Sequence, residues 1–419
     1  MKKVFIYSSI GLILMGCSSK EHLQGERKDI LLSEYQSSEK DNSPAILDPT
    51  TVTLGNTFEL KWIGSMDVGS SKSLKMTSPV VVAENKVFSI DAGGLVYAFD
   101  AQTGNLIWKK TTTIKGKDGQ IGGAIAYSNG KLIVTSSFAE AFAFNASNGE
   151  LIWRIKLPAC CKGEGITIDN NKVYLLCDNS SLQVVDIKDG NLLWSHSGMM
   201  MDTTYMGGSR AIVKNDVVYL AYPSGEVFAL SENGASIWSS TLSKFSFVNA
   251  GESFSHPVAC PIISGNLVYF TNSNQQITAF DTMTGNVVWK RDFGGTETPL
   301  VSGNSIFILD SLKGITCLNK DNGKIRWTRN LNINGTEDYG WFWQNKQITE
   351  WMGPIQTNKG ILIMASNGSL ITLSEKDGSV VSRQRIDDFG ENSPARPVII
   401  KDMIYFITND GGVLAFKSK

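Results

Sequence analysis

The sequence predicts an all-β protein, an eight-bladed β-propeller with four-stranded antiparallel blades. Three observations support this fold class. Six tryptophans each follow a glycine by four residues, at the end of one recurring phrase. These tryptophans, together with Ser382 at the same place in a seventh copy, are 38 to 55 residues apart, a period typical of propellers and other repeat arrays. The third observation is that an incomplete unit at the C-terminal end is complemented by an unassigned strand before the first unit.

The recurring phrase has the same order in each copy: an apolar and aromatic run, a polar turn with glycine, three residues and tryptophan. The first copy reads LVYAFDAQTGNLIW, and the seventh, LITLSEKDGSVV, keeps Gly378 but lacks the tryptophan. Because tryptophan offers a large flat surface, we expect each one to pack its blade against the next. These residues are Trp108, Trp153, Trp194, Trp238, Trp289 and Trp327.

Within one unit, turn signals separate four short apolar runs. In the first unit the runs are Val80–Ala83, Val87–Ile90, Leu95–Phe99 and Leu106–Trp108. They are too short for helices and rich in β-branched and aromatic residues, which favours strands. A propeller blade contains four such strands.

Small residues recur at two positions of the repeat. The glycine before each outer strand suits a hairpin turn that ends at positive φ. The second position, in the preceding strand, is small and lies between larger residues, which indicates a crowded place where blades meet. The residues at this second position are Ala98, Ala143, Ala229, Ala279, Ala415 and Cys317.

The two ends of the propeller region predict how the ring closes. The last unit runs to Lys419 without an outer strand. Thr57–Trp62 resembles a strand that no unit claims, and Trp62 lies one period, 46 residues, before Trp108. We expect this N-terminal strand to be the outer strand of the last blade, because closure removes the exposed edges of an open array.

The first residues form a targeting signal. Two lysines, an apolar stretch to Met15 and a small residue before Cys17 are typical of a secretory signal, and the apolar run is too short to span a membrane. Leu14–Cys17 resembles the bacterial lipoprotein cleavage box, and Ser18 resembles the outer-membrane sorting signal. We expect a lipoprotein signal peptide at residues 1–16, lipid attachment at Cys17, a flexible tether at residues 17–51 and the propeller at residues 52–419.

Charge and motif content argue against nucleic-acid binding and catalysis. The chain has 39 basic and 40 acidic residues and no basic stripe, which a nucleic-acid-binding protein would have. Its histidines, His22, His196 and His256, lack the spacing of metal ligands. No nucleophile elbow, phosphate loop or dinucleotide-binding motif occurs. We therefore predict no catalytic residues, no metal site and no cofactor.

Five cysteines follow Cys17. Because this number is odd, at least one thiol stays unpaired within the chain in an oxidising compartment. Cys177, Cys260 and Cys317 fall in predicted strands and are interpreted as small buried residues. Cys160 and Cys161 are adjacent, and the sequence leaves open whether they form a vicinal ring or stay reduced.

The phrase Tyr-Ala-Phe-Asp-x-x-Thr-Gly-x-x-x-Trp, repeated along the chain, resembles the pyrroloquinoline-quinone-type β-propeller superfamily. Within it, the lipoprotein start, the length and the eight units resemble the BamB family of outer-membrane assembly lipoproteins, over residues 55–419. The resemblance implies a non-catalytic, lipid-anchored scaffold that faces the periplasm and is a monomer within a hetero-complex. It also implies binding to a BamA-like barrel-forming subunit, and contact with unfolded outer-membrane proteins by pairing with extended chains.

In that family, loops at one rim of the ring bind the barrel-forming subunit. The corresponding loops here are Met199–Ser209 and Gly251–Val258. The family pattern has arginine in the first loop and acidic residues in the second, whereas this chain has Met206, His256 and Val258 near those places. The resemblance therefore implies a more apolar contact surface here. The candidate partner-binding residues are Tyr205, Met206, Gly207, Gly208, Phe254 and His256.

The segment Asn334–Pro354 departs most from the repeat and contains Trp341, Phe342, Trp343 and Trp351. Two interpretations stay open for these aromatic residues. They cover the edge of the core, or they form an exposed patch for a partner, since tryptophan is common at interface hot spots.

Two other functions stay open. A quinoprotein dehydrogenase, dependent on pyrroloquinoline quinone, shares the propeller, and some of these enzymes have a vicinal cysteine pair against the quinone, as Cys160 and Cys161 would be. An envelope glycan-binding propeller would use the aromatic residues of the Asn334–Pro354 segment as its platform.

Overall fold

The computed structural model describes residues 41, 43–50, 52–55, 57–71, 76, 78–112, 123–161, 163–200, 209–242, 259–272, 275–295, 297–310, 314–331, 350–386, 393 and 395–419. Eight four-stranded antiparallel sheets form the blades of a propeller. The predicted fold class is confirmed. Asp41–Lys419 is one compact unit.

The first four blades follow the chain in order. Blade 1 contains β2 (Val81–Ala83), β3 (Lys86–Ile90), β4 (Leu95–Asp100) and β5 (Leu106–Thr111). Blade 2 contains β6 (Ile125–Ser128), β7 (Lys131–Ser136), β8 (Glu140–Asn145) and β9 (Leu151–Lys156). Blade 3 contains β10 (Ile166–Asp169), β11 (Lys172–Cys177), β12 (Ser181–Asp186) and β13 (Leu192–Ser197). Blade 4 contains β14 (Ile212–Lys214), β15 (Val217–Ala221), β16 (Glu226–Ser231) and β17 (Ser236–Thr241).

The other four blades continue this order, except that the last takes its outer strand from the N-terminal end. Blade 5 contains β18 (Ile262–Ser264), β19 (Leu267–Asn272), β20 (Gln276–Asp281) and β21 (Val287–Arg291). Blade 6 contains β22 (Leu300–Ser302), β23 (Ser305–Asp310), β24 (Gly314–Asn319) and β25 (Ile325–Asn330). Blade 7 contains β26 (Trp351–Thr357), β27 (Gly360–Ala365), β28 (Ser369–Leu373) and β29 (Val380–Arg385). Blade 8 contains β30 (Val398–Ile400), β31 (Met403–Ile407), β32 (Gly412–Ser418) and β1 (Phe58–Ser65).

Burial within a blade follows from its position between two neighbours. The first strands of neighbouring blades contact one another, for example β2 with β6, so they line the centre of the ring. The middle strands are covered on both faces, and β3 and β4 are therefore almost entirely buried and apolar. The fourth strand forms the rim, where β5 is exposed except at Trp108.

Each repeat tryptophan donates its indole N–H to a backbone carbonyl of the next blade, at 2.7 to 3.1 Å. The acceptor always lies in the turn between the third and fourth strands of that blade. The contact therefore combines burial of a large ring with a satisfied donor. The pairs are Trp62 with Ala101, Trp108 with Ala146, Trp153 with Ile187, Trp194 with Glu232, Trp238 with Thr282, Trp289 with Lys320, and Trp327 with Glu375.

The turn glycine of the next blade lies against the same tryptophan ring. Gly104 has a φ of 73°, and a Cβ placed on it would lie 2.6 Å from the Trp62 ring. Gly104 therefore has the positive φ expected from the sequence. In addition, the Trp62 ring leaves no room for a side chain at this position. The same close contact occurs at Gly149, Gly190, Gly234, Gly285, Gly323 and Gly378.

The second small position faces the tryptophan from the neighbouring strand. Ala98 is the cross-strand partner of Trp108, and Cys317 is that of Trp327. A larger side chain beside the ring would compete for the same space between blades. Two blades have a larger residue at this position: Thr372 in blade 7, opposite Ser382, and Val184 in blade 3, opposite the less buried Trp194.

The ring closes through the N-terminal strand, as predicted. β1 pairs antiparallel with β32, and Trp62 lies opposite Ala415. The Trp62 ring centroid lies 6.1 Å from that of Tyr405 in blade 8 and 6.5 Å from that of Phe99 in blade 1. Trp62 thus joins the last blade to the first.

The junction between blades 7 and 8 is the one without a repeat tryptophan. In blade 8 no turn connects the third strand β32 to the fourth strand β1, so this blade offers no turn glycine for a ring. Leu54 fills the junction instead: it is 5 % exposed and packs in one cluster with Leu362, Leu414 and Phe416.

Leu54 belongs to a segment, hereafter the strap, that consists of residues 41, 43–50 and 52–55. A flexible tether was expected as far as residue 51, but the strap is hydrogen-bonded along blades 6 to 8. Ile46 and Asn304 exchange backbone and side-chain hydrogen bonds of 2.8 and 3.0 Å. The Asp48 carboxylate accepts from the Gly303 N–H at 2.9 Å. The propeller therefore includes residues before the expected start at residue 52.

The strap is anchored at Arg326, whose side chain is 2 % exposed. Its guanidinium lies 3.4 Å from a carboxylate oxygen of Asp41 and 3.3 Å from the Ser43 hydroxyl. Asn319 donates to the same Asp41 oxygen at 2.6 Å. Burial alone would raise the pKa of Asp41, but hydrogen bonds from Ser43 and Asn319 and the charge of Arg326 outweigh it and lower this pKa to about 2.

Candidate functional site

The ring has two faces that differ in their connections. In each antiparallel blade, the turn between strands 2 and 3 and the link to the next blade lie on one face, hereafter the link face. The turns between strands 1 and 2 and between strands 3 and 4 lie on the other, the turn face. The strap contacts Gly303 and Asn319, which belong to these latter turns, so it lies on the turn face. The described residues at or next to the ends of the predicted partner-binding loops, Met199, Ser209 and Ala259, stand in links between blades and so belong to the link face.

The six candidate partner-binding residues lie outside the described residues, and so do Cys17, Trp341, Phe342 and Trp343. The six are Tyr205, Met206, Gly207, Gly208, Phe254 and His256. Trp351 is described: it begins β26 and is 5 % exposed. For this one aromatic residue the structure supports packing in the core, and the end of the predicted long loop is a strand.

The first predicted docking loop begins in a polar cluster between blades 3 and 4. The Tyr222 hydroxyl lies 2.9 Å from Nδ1 of His196 and 3.1 Å from its carbonyl oxygen. The Glu226 carboxylate accepts from the Met199 N–H at 2.6 Å and from the Ser224 hydroxyl at 2.8 Å. Burial lowers the pKa of His196, against the opposing charge of Glu226. The start of the loop is thereby held to blade 4.

Gly198 shows how this junction differs from the others. A Cβ on Gly198 would overlap the Tyr222 ring. The residues that directly follow the outer strands of blades 1, 2, 4, 6, 7 and 8 are buried, for example Leu157 at 9 % exposure and Leu242 at 1 %, whereas Asp292 in blade 5 is exposed. After the outer strand of blade 3, the Tyr222 ring fills the space that a side chain at Gly198 would occupy. The chain then continues into Met199 and Met200, which are 65 % and 74 % exposed. Two apolar side chains are thus displayed where the loop begins.

Ser209, which ends the first predicted docking loop, and Ala259, which follows the second, meet on neighbouring blades. The Ser209 hydroxyl donates to the Ala259 carbonyl oxygen at 3.1 Å. Ser209 precedes β14 and Ala259 precedes β18, so the contact joins blades 4 and 5. The contact therefore joins the last residue of the first predicted loop to the residue that follows the second, whereas residues 201–208 and 251–258 lie outside the described part of the chain.

Beside this contact, a charged cluster crosses the centre of the ring. Glu164 of blade 3 has one carboxylate oxygen 2.7 Å from Arg396 of blade 8 and the other 3.6 Å from Arg210 of blade 4. The Cys260 thiol of blade 5 lies 3.3 Å from Glu164. Burial and the charge of Glu164 raise the pKa of Cys260 to about 12, so this thiol stays protonated at neutral pH. We call these four residues the axial cluster.

Glu297 of blade 6 lies next to the axial cluster. Its carboxylate accepts from the Gly353 N–H at 3.3 Å. Burial raises the pKa of Glu297 to about 7, against this hydrogen bond and the charge of Arg396. Five of the eight blades therefore place a polar or charged side chain at or beside the centre of the link face.

Sequence reasoning missed the axial cluster. Glu164, Arg210, Cys260 and Arg396 each stand two residues before the first strand of a blade. This shared position could have indicated that the four side chains lie close together, since the first strands line the centre of the ring. The recurring phrase surrounds the outer strand of each blade, and these residues lie outside that phrase.

The cysteine pairing differs from both sequence interpretations. Cys161 is bonded to Cys177, whereas Cys160 is free and donates to the Ser137 carbonyl oxygen at 3.0 Å. Cys160 and Cys161 therefore form no vicinal ring, and Cys177 was wrongly interpreted as a simple buried residue. Cys260 and Cys317 are buried free thiols.

These residues do not fit a quinone at the ring centre. Cys160 and Cys161 form no vicinal ring, and the Glu164–Arg396 ion pair lies across the ring centre. Among the described residues, no group of three or more His, Cys, Asp or Glu side chains could hold a metal ion. The same part of the chain contains no helix long and apolar enough to cross a membrane.

The comparisons with known proteins agree with the propeller and its repeat. The family described as outer membrane protein assembly factor BamB matches residues 92–329. The Escherichia coli (strain K12) protein named outer membrane protein assembly factor BamB is 25 % identical over 365 residues, which cover 84 % of this chain and 87 % of that protein. The protein of the same name from Yersinia pestis is 25 % identical over 347 residues, 79 % of this chain and 81 % of that protein.

Solved structures share the fold at lower identity. The crystal structure of BamB from Moraxella catarrhalis covers 86 % of this chain and 100 % of its own, with a TM-score of 0.68 and 14 % identity. A europium-containing methanol dehydrogenase covers 84 % of this chain and 83 % of its own, with a TM-score of 0.60 and 14 % identity. At these identities the likeness concerns the fold alone, and the fold is common to a scaffold and to an enzyme.

Proposed function

Because this chain belongs to the family of the outer membrane protein assembly factor BamB, we propose that it is a non-catalytic scaffold in the assembly of outer-membrane β-barrels. In this proposal it binds a BamA-like barrel-forming subunit through its link face and acts as a monomer within that hetero-complex. A scaffold needs a fixed surface and no reacting groups, and the axial cluster is a set of ion pairs rather than a catalytic constellation.

The observation that carries the proposal is the hydrogen bond between Ser209 and Ala259. This bond joins Ser209, at the end of the first predicted loop, to Ala259, just after the second, and so supports a shared interface on blades 4 and 5. Met199 and Met200, at the start of the first predicted loop, are exposed apolar side chains after blade 3. An apolar centre with a polar rim is typical of protein–protein interfaces, and these residues supply its apolar part.

The position in the cell is part of the same proposal. Cys17 carries the lipid, residues after it form the tether, and the ring faces the periplasm at the outer membrane. More than one acyl chain on a single residue would give stable anchoring. The described residues that follow the tether in sequence form the strap, which contacts the turn face.

Contact with unfolded barrel precursors is supported by the rim of the ring. The outer strands begin with aliphatic residues that are 41 to 59 % exposed, and extended chains with alternating apolar residues could pack on them. These residues are Leu106, Ile107, Leu151, Ile152, Leu192, Leu193, Ile237, Val287, Val288 and Val381.

A pull-down tests the proposed scaffold. The lipid-free protein is immobilised and mixed with detergent-solubilised outer membrane, and bound proteins are identified by mass. We expect recovery of the barrel-forming subunit. A Met206→Glu/His256→Glu variant should reduce recovery at least tenfold, since it places charge in the predicted apolar interface.

The matched control is Met283→Glu, which changes a 79 % exposed methionine in the strand 3–4 turn of blade 5, on the turn face. It should bind like the parent. Failure of the parent to recover the subunit from active membranes, while a known scaffold recovers it, would contradict the proposal.

The quinoprotein alternative has the support of the fold alone. Incubation with the quinone and calcium, followed by gel filtration, separates it from the scaffold proposal. Retained quinone with dye reduction would favour the enzyme, and loss of all quinone would favour the scaffold. For glycan binding, Trp341→Ala and Trp343→Ala would lower affinity in a glycan array.

A further inference from the structure

The outer strand of each blade has one edge without a neighbouring strand among the described residues. Such edges can pair with another extended chain, and natural proteins protect them with lysine or arginine. Six of the eight outer strands here carry at least one of these residues, namely β1, β5, β9, β21, β25 and β29. The two that carry none are β13 and β17.

The difference is clearest at the residue after the tryptophan position. Lys109, Arg154, Lys290 and Arg383 stand there in blades 1, 2, 5 and 7, whereas blades 3 and 4 have Ser195 and Ser239. Both serines are exposed. The protecting charges are therefore absent from two adjacent blades, the same two that lead into the predicted docking loops.

The side chains along β13 and β17 suit an added strand. On β13, Ser195 and Ser197 are exposed, while His196 between them turns inward and stacks on Tyr222 with 5.8 Å between ring centroids. On β17, Ser239 is exposed after the buried Trp238. A row of small hydroxyl side chains lets another backbone approach closely, without a charge to desolvate.

Bulges limit which part of each edge can pair. The β12–β13 register shifts between Val184 and Val185, which leaves Leu193 unpaired, and β17 has the same irregularity at Ile237. A bulge interrupts the ladder and bends the strand. The regular stretches are therefore Trp194–Ser197 and Trp238–Thr241, with exposed Leu192, Leu193 and Ile237 beside them.

From this pattern we infer that the outer edges of β13 and β17 are strand-addition sites for an extended, uncharged polypeptide segment of a partner. The inference rests on the proposed scaffold function and assigns to it the edges where a chain pairs. Backbone hydrogen bonds supply the attraction, and the aliphatic residues at the start of both strands receive alternate apolar side chains of the segment. Because β13 and β17 contain no carboxylate, a partner segment that carries lysine or arginine would form no ion pair with these edges.

The test uses the full-length mature protein and a fluorescein-labelled synthetic peptide of ten residues, alternating valine and threonine with blocked ends. Binding is measured by fluorescence anisotropy. A peptide with N-methyl groups on alternate residues, which removes its backbone donors on one edge, should bind at least tenfold more weakly. Hydrogen exchange should slow at the amides of Ser195–Ser197 when the parent peptide is bound.

The variant Ser195→Lys/Ser239→Lys introduces, at two exposed positions, the lysine or arginine that blades 1, 2, 5 and 7 carry there, so it should fold normally. We expect its Kd for the peptide to rise at least tenfold. The matched control is Thr328→Lys, the equivalent exposed position of β25, which already carries Arg326 and Arg329. Its Kd should stay within twofold of the parent.

Equal weakening by the variant and the control, or no peptide binding by the parent, would overturn the inference. Binding of the purified barrel-forming subunit is measured in parallel. If the subunit binds and the peptide does not, the strand-addition sites are wrong and the scaffold proposal stands. If the peptide binds and the subunit does not, the scaffold proposal fails instead.

Discussion

The carboxylate of Glu164 lies 2.7 Å from the guanidinium of Arg396 and so connects blade 3 to blade 8 across the centre of the ring. These blades are not neighbours, and no strand pairing joins them. The ion pair thus links two blades that the recurring tryptophan contacts, which join neighbouring blades, do not connect. Its side chains are 19 % and 33 % exposed, so it is partly screened by water.

Replacing Glu164 by glutamine tests this connection. The substitution keeps the shape but removes the charge that Arg210 and Arg396 share, and we expect a loss of about 1–3 kcal/mol, as for hydrogen bonds to charged groups. The free energy of unfolding in urea measures it. Asp402→Asn, in the exposed pair with Lys417, is the control and should cost less than about 1 kcal/mol. Equal small losses would show that the axial cluster does not contribute.

Tryptophan docking predicts an order of stabilities. Trp153 is 6 % exposed and donates to Ile187 at 3.0 Å, so Trp153→Ala should cost about 3–5 kcal/mol, as for buried aromatics. Trp194 is less buried, and its replacement should cost clearly less. Trp153→Phe keeps most of the ring and should lose about 1 kcal/mol for the hydrogen bond. Thermal and urea unfolding of the three variants would reveal any other order.

Two glycines with nearly the same φ separate backbone strain from ring contact. Gly104 (φ 73°) meets the Trp62 ring, whereas a Cβ added to Gly130 (φ 76°) would have no other atom within 4 Å. Gly130→Ala should cost about 1–2 kcal/mol from the left-handed backbone alone. Gly104→Ala adds overpacking of about 1–3 kcal/mol. Calorimetric melting of both variants decides, and equal losses would mean that the ring moves aside freely.

The strap should detach in acid. The lowered pKa of Asp41, about 2, means that its carboxylate stabilises the folded state above the unfolded value near 4. This contribution, about 1 kcal/mol after allowing for solvent screening, is lost as the pH falls from about 4 towards 2. Asp41→Asn should therefore reduce stability at neutral pH but not at pH 2. Limited proteolysis between residues 41 and 55 at both pH values measures this, and a constant difference between variant and parent would count against it.

The disulfide can be identified directly. Peptide mapping under non-reducing conditions should recover Cys161 linked to Cys177 and Cys160 alkylated. Cys177→Ala should cost about 3 kcal/mol, since the bond closes a loop with a sequence separation of 16 residues. Cys160→Ala, which changes a free thiol, is the control and should be close to neutral. A recovered Cys160–Cys161 ring would reverse this assignment and revive the quinoprotein alternative.

Much of the fold could be predicted because the same local sequence pattern recurs in seven copies along the chain. The tryptophan period predicted the blades, and Trp62 predicted the closing strand, which pairs as expected with β32. The sequence predicted the turn glycine before each outer strand, but it indicated only one of the two reasons for that glycine. The positive φ is local, whereas the ring that lies against Gly104 comes from the preceding blade.

The sequence by itself determined the blade, since four short apolar runs and their turns are encoded within about 45 consecutive residues. Only the tertiary structure decided the features that join distant parts of the chain. Leu54 fills the junction that lacks a tryptophan, Arg326 holds the strap, and Glu164 meets Arg396 across the ring. The physical reason is the range of the interaction: periodicity records contacts that recur from blade to blade, whereas these contacts occur once and have no period.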